Sequence, residues 1–188
     1  MVADPARSDD DIMREAAGAR PVAFAEIYER HHAALYGYLR KLVGTSDGAH
    51  DLTQETFLLA FKSRGSYRGK GAFQAWLYRI ATNLARGRFR AAAREPGTAA
   101  GDVNSEPADD DGPVASAEAA ETRRAVEAAL RRLPMDQREV VLLRHFQGLR
   151  FRDIARTLDI SESTAKSRLR YALEKLADML RPLERELQ

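Results

Sequence analysis

Two stretches of this 188-residue chain hold side chains whose types and spacing suit binding chemistry. FRDIARTLDISESTAKSRLRYAL, Phe151 to Leu173, reads as a short amphipathic helix, a sharp turn and a second, basic helix. Ser163, Thr164, Lys166, Ser167, Arg168, Arg170 and Tyr171 crowd the first turns of that second helix. Such donors and cations can hydrogen-bond base edges and phosphates. Upstream, Arg64, Tyr67, Arg68, Lys70, Phe73, Trp76, Arg79, Asn83 and Arg86 mix cations, aromatics and one amide. Aromatic faces stack on unpaired bases while cations track the backbone, which suits single-stranded DNA better than duplex. Phe73 and Trp76 equally fit a helical core, since Trp76 lies on the same side as Ile80 and Leu84.

Catalytic and metal chemistry find no comparable set. His31 and His32 are adjacent, so on a helix they point apart, and Leu35 and Tyr36 offer no further ligand one turn on. His50 and Asp51 lack a nucleophile. The glycine-rich RGSYRGKG does not have the spacing of a nucleotide-binding phosphate loop. There is no cysteine, which excludes disulfides, thiol catalysis and cysteine-bound zinc. Neither an enzyme, a metal site nor a cofactor is expected.

The elements that position these residues read as helices throughout. In the last helix Ala165, Leu169, Ala172, Leu173 and Leu176 form a stripe to be buried, and Ser163, Lys166, Ser167, Arg170, Tyr171 and Glu174 face away. Ser161 is the expected N-cap, and Asp159 is expected to take the left-handed conformation of the turn. Ile154, Ala155 and Leu158 face inward from the short helix, and Ile160 plugs the turn. Together these are the packing requirements of a helix-turn-helix. Before it, helices are expected over about 117–132 and from Pro134 to Gly148. In the first half, three helices are expected: from Pro21 to Gly44, over about 48–63, and from Phe73 to near Ala92. No strand signal interrupts them, so the fold class is all-α, in two small helical domains.

Charge divides the chain the same way. Residues 1–19 carry a net charge of −3, 20–94 of +8, 95–121 of −8 and 122–188 of +5. The strip EPGTAAGDVNSEPADDDGPVASAE has almost no large apolar residue, so it reads as a flexible linker. The division is an acidic tail (1–19), a first helical domain (20–94), an acidic linker (95–117) and the helix-turn-helix domain (118–188). The two basic blocks suit a polyanion. No run of about 18 apolar residues is present, so membrane insertion is not expected. The acidic N-terminus does not read as a signal peptide, and a cytoplasmic home fits.

DLTQETFLLAF (Asp51–Phe61), SYRGKGAFQAWLYRIATNLARGRFR (Ser66–Arg90) and the stretch from Leu130 to Leu176, in that order, resemble the extracytoplasmic-function (ECF) sigma factors of bacteria. The resemblance implies an initiation subunit that brings core RNA polymerase to promoter DNA. It implies that Asp51, Gln54, Glu55, Phe57 and Leu58 dock on the clamp helices of the largest polymerase subunit. It implies that the loop Arg64–Ala72, with Trp76, Arg79, Asn83 and Arg86, opens the minus-ten region and captures a flipped base. The last helix then reads the minus-thirty-five element through Lys166, Ser167, Arg170 and Tyr171, with Arg168 on phosphate. The acidic linker would thread toward the RNA exit path, and an anti-sigma factor would hold the protein inactive. Gly87 departs from the family pattern. It costs the helix about 0.5–1 kcal/mol relative to Ala and is expected to bend it or end it early. The alternative is a two-domain repressor or activator that binds DNA without polymerase.

Overall fold

The structure is a computed structural model and describes residues 7–69, 71–94 and 117–186. Lys70 and residues 95–116 of the acidic linker lie outside the described residues, and Ala117, the last residue given to the linker, opens a helix. Among the described residues, eight α-helices follow in chain order: α1 (Asp9–Ala17), α2 (Phe24–Val43), α3 (Ser46–Lys62), α4 (Phe73–Ala92), α5 (Ala117–Arg132), α6 (Met135–Val141), α7 (Phe151–Leu158) and α8 (Glu162–Glu186). There is no strand among the described residues, and the all-α class expected from the sequence holds.

Helices α2, α3 and α4 form the first unit. Ile27, Leu35, Tyr38, Leu39 and Leu42 recur along one face of α2 and are fully buried against Leu52 and Ala60 of α3 and Leu77, Ala81 and Ala85 of α4. Gly44 ends α2 with a φ of 88°, a left-handed conformation that costs glycine little. The helix expected from Pro21 begins with one 3₁₀ turn, Pro21–Ala23, before α2. Gly87 neither bends α4 enough to break it nor ends it, for the helix runs on to Ala92. The packing of Ala81, Thr82 and Ala85 outweighs one glycine's propensity.

The acidic N-terminal segment is not a bare tail. Ser8 caps α1 by accepting the Asp11 N–H at 3.2 Å, and the acidic first turn suits the positive helix end. Ile12, Met13 and Ala16 are fully buried against the first unit. Asp9 ties α1 to α2 by accepting from His31 Nε2 at 2.9 Å and pairing with Arg30 at 3.3 Å. Burial pushes the Asp9 carboxyl up, but His31 and Arg30 outweigh it and hold it below its ordinary value.

The second unit packs α6, α7 and α8 around Val140, Leu142, Leu143, Ile154, Leu158, Ala165 and Ala172. The helix expected from Pro134 to Gly148 loosens into a π turn at Leu142–Phe146, where the Gln147 N–H reaches back to the Leu142 carbonyl. The core of both units is continuous. Thr157 Oγ1 of α7 donates to the Ala75 carbonyl of α4 at 3.2 Å, and Tyr78 donates to Gln147. Arg138 Nη1 reaches the Leu42 carbonyl at the end of α2, at 2.9 Å.

Candidate nucleic-acid interface

The helix-turn-helix is formed by α7, a tight turn and α8. Asp159 has a φ of 58° and a ψ of 51°, so it takes the left-handed position expected of it. Ile160 N–H closes the turn on the Ala155 carbonyl at 3.1 Å. Ser161 Oγ caps α8 by accepting the Thr164 N–H at 3.0 Å. Ala165, Leu169 and Ala172 are buried, which fixes the rotation of α8. Leu173 departs from the expected stripe and is 43% exposed. It lies about 80° around the helix from Ala165, off the packed side.

That rotation turns Ser163, Lys166, Ser167, Arg170 and Tyr171 into solvent on one face of the first three turns. Thr164 is half-buried beside the cap. Lys166 Nζ rests 5.7 Å from the centre of the Phe151 ring, and the Arg170 guanidinium lies 4.3 Å from the Tyr171 ring. Arg170 also pairs with Glu174 at 3.0 Å. Arg168, expected on phosphate, instead turns toward α6 and pairs with Asp136 at 3.3 Å.

In the first unit, Trp76, Arg79, Asn83 and Arg86 share one face of α4, as their spacing of three to four residues requires. Trp76 is half-buried, while Arg79 and Asn83 are exposed. Two of the four meet the second unit. Arg79 stands 3.9 Å from Asp159. Arg86 grips Glu139 by donating from Nε at 2.8 Å and from Nη2 at 2.6 Å, and Glu139 is fully buried. The Glu139 hydrogen bonds push the Arg86 guanidinium further toward its charged form. Glu139 was not among the residues expected to matter. Its signal is a carboxylate three and four residues before the buried Leu142 and Leu143, on the core side of an amphipathic helix.

The loop between α3 and α4, with the first residue of α4, differs from expectation at three positions. Phe73 is only 3% exposed and packs on His31, Tyr67 and Trp76, so it belongs to the core rather than to a stacking surface. Arg64 is turned inward: Nη1 caps α3 at the Phe61 carbonyl at 2.7 Å, and Nε reaches the Ala16 carbonyl of α1 at 2.9 Å. Tyr67 lies with its ring 5.1 Å from Trp76 and donates its hydroxyl to Asp10. Burial first, then Asp10, pushes that phenol well above the ordinary range. Arg68 is exposed.

On α3, Asp51, Gln54, Glu55 and Leu58 are exposed along the side away from the core. Leu59 is also exposed, which extends the apolar part of that side. Phe57 is the exception, for it is 4% exposed and packs against Phe24 and Tyr28. It supports the surface from beneath. No group of three His, Cys, Asp or Glu residues suited to a metal occurs among the described residues. No helix among them is long and apolar enough to cross a membrane.

A helical unit with a cationic, aromatic face followed by a helix-turn-helix unit has the organisation of a sigma factor, and comparison with known proteins agrees. Residues 27–95 match the family model of Sigma-70 region 2, and residues 123–176 match Sigma-70, region 4. The ECF RNA polymerase sigma factor SigM of Mycobacterium tuberculosis is 36% identical over 175 residues, covering 93% of this chain and 85% of SigM. Among solved structures, CnrH in complex with the cytosolic domain of CnrY superposes with a TM-score of 0.69 at 27% identity, over 93% of this chain and 97% of CnrH. The sigma factor RpoE of Bartonella quintana, in complex with the anti-sigma factor NepR, gives 0.69 at 26% identity, over 87% and 98%. The chain belongs to the ECF RNA polymerase sigma factor family.

Proposed function

We propose that this chain loads onto core RNA polymerase, directs it to promoters with two upstream elements and opens the minus-ten region. The observation that carries the reading is the exposed row Ser163, Lys166, Ser167, Arg170 and Tyr171 at the start of a capped second helix. In this reading that row contacts the minus-thirty-five element. Arg68, Trp76, Arg79, Asn83 and Arg86 serve the minus-ten strand, and Asp51, Gln54, Glu55 and Leu58 dock on polymerase. The protein is a regulatory subunit rather than an enzyme, and it works in the cytoplasm. The domain division is a first unit over 20–94, joined by α1, a linker over 95–117 and a second unit over 118–188.

Contacts from Glu139 and Asp159 engage two members of the α4 row. The packed arrangement is therefore the form free of polymerase, and the units separate on loading. An anti-sigma factor is the natural partner of the packed form. Two solved structures with this fold are complexes, CnrH with the cytosolic domain of CnrY and the sigma factor RpoE with the anti-sigma factor NepR. Promoter binding by the purified chain with and without core polymerase tests the reading. Weak, salt-sensitive binding alone and tight, specific binding in holoenzyme supports it. Tight operator-like binding without polymerase contradicts it.

A further inference from the structure

Asp10 bonds to both ends of the loop that leads into α4. One carboxylate oxygen accepts the Tyr67 hydroxyl, and the other accepts the Gly71 N–H at 2.6 Å. The two partners are four residues apart, and a Cβ added at Gly69 would come within 3.5 Å of the same carboxylate. Gly69 and Gly71 both lie in the left-handed region, at φ of 73° and 64°. Glycines in a loop carry much conformational entropy in the free chain, so this loop needs anchors to hold one shape. The other end of α1 supplies a second anchor, since the Ala16 carbonyl accepts from Arg64 Nε at 2.9 Å. Helix α1 is itself held by its buried Ile12 and Met13 and by the Asp9 contacts to His31 and Arg30.

We infer that Asp10 is a positioning residue for base capture: α1 is a brace that holds Tyr67 and Gly71, just ahead of α4, in place to receive the unstacked minus-ten base. The inference rests on the promoter-opening reading above. It explains why an acidic residue sits beside a loop meant for a polyanion. Its oxygens are occupied by a hydroxyl and an amide of the loop, so they shape the loop rather than face DNA. It also gives Tyr67 a different role from stacking on a base: its ring backs Trp76 and its hydroxyl fastens the loop.

The test uses holoenzyme of the full chain on duplex promoters carrying a fluorescent adenine analogue at successive non-template positions of the minus-ten element. Asp10→Ala is expected to slow open-complex formation about tenfold, as small misplacements of positioned groups do, and to lower the fluorescence gain at one position. Closed-complex affinity is expected to stay within about twofold, because α8 is untouched. Tyr67→Phe, which removes one hydroxyl, is expected to give a weaker effect in the same direction. Asp10→Asn keeps an acceptor oxygen and is expected to restore most of the rate. Wild-type opening rate and fluorescence in Asp10→Ala would overturn the inference, as would equal loss of closed and open complexes in both variants. Failure of the wild-type holoenzyme to open any promoter would instead overturn the functional reading on which it stands.

Discussion

The guanidinium of Arg86 in α4 and the carboxylate of Glu139 in α6 form a two-pronged ion pair, at 2.8 and 2.6 Å, across the junction of the two units. Glu139 is fully buried, and the Tyr38 phenol nearby is pushed well above its ordinary range by burial and by this carboxylate. A buried carboxylate is stable only with its partner in place, so the pair makes the packed arrangement conditional on Arg86. Arg86 cannot serve Glu139 and a phosphate at once. Glu139→Gln keeps the shape and removes the charge, and should weaken the packing by about 1–3 kcal/mol. Small-angle scattering of the free chain is expected to show a larger radius, and binding to single-stranded minus-ten DNA to rise. Unchanged dimensions and unchanged binding would show that the pair does not hold the units together.

On α8 the exposed and the inward cations should separate by assay. Lys166→Ala and Arg170→Ala should each cost about 1–3 kcal/mol of minus-thirty-five discrimination, with the melting temperature little changed. Arg168→Ala breaks the contact with Asp136 and should lower stability by less than about 1 kcal/mol, since that pair is partly exposed. Competition between promoters with intact and scrambled minus-thirty-five elements reads the first effect, and thermal unfolding reads the second.

Neighbours on α3 should behave in opposite ways. Phe57→Ala empties a site between Phe24 and Tyr28 and should destabilise the protein by about 3–5 kcal/mol. Leu58→Ala touches an exposed side chain, so stability should move by no more than about 0.5 kcal/mol while core-polymerase affinity falls. Loss of polymerase binding only in step with unfolding, for both variants, would remove α3 as a docking surface.

Asp9 sets an acid limit on the docking of α1. Its carboxyl is held below its ordinary value in the folded chain, so its contribution is present above the unfolded value and is lost as pH falls through the lowered one. The protection of α1 amides against exchange, relative to the unfolded chain at the same pH, is expected to fall as pH drops below about 4. In Asp9→Asn that acid-induced step should disappear, and protection of α1 should be lower already at neutral pH. An unaltered acid limb in the variant would assign the step to another group.

Much of this molecule is written in local pattern. The left-handed Asp159, the Ser161 cap and the buried Ala165 and Leu169 depend on residues a few positions apart, so the helix-turn-helix and its exposed row are legible in the sequence. What is not legible rests on distant partners. Arg64 looks like a free cation in a glycine-rich loop, yet it caps its own helix and reaches back 48 residues to Ala16. Arg86 and Glu139 are 53 residues apart, with the acidic strip between them. The charged triplet at residues 9–11 hides a nine-residue helix, because only Ile12, Met13 and Ala16 signal its buried side. Phe57 and Phe73 show the limit of residue type, for an aromatic beside cations serves a core as well as a base.

The most direct test of the central claim is transcription from a genomic fragment library with sigma-free bacterial core polymerase and this chain, followed by sequencing of RNA starts. Starts that share two upstream elements, with the distal element losing its effect in Lys166→Ala, are the expected result. Absence of specific starts, together with tight binding of the free chain to one DNA sequence, would contradict it.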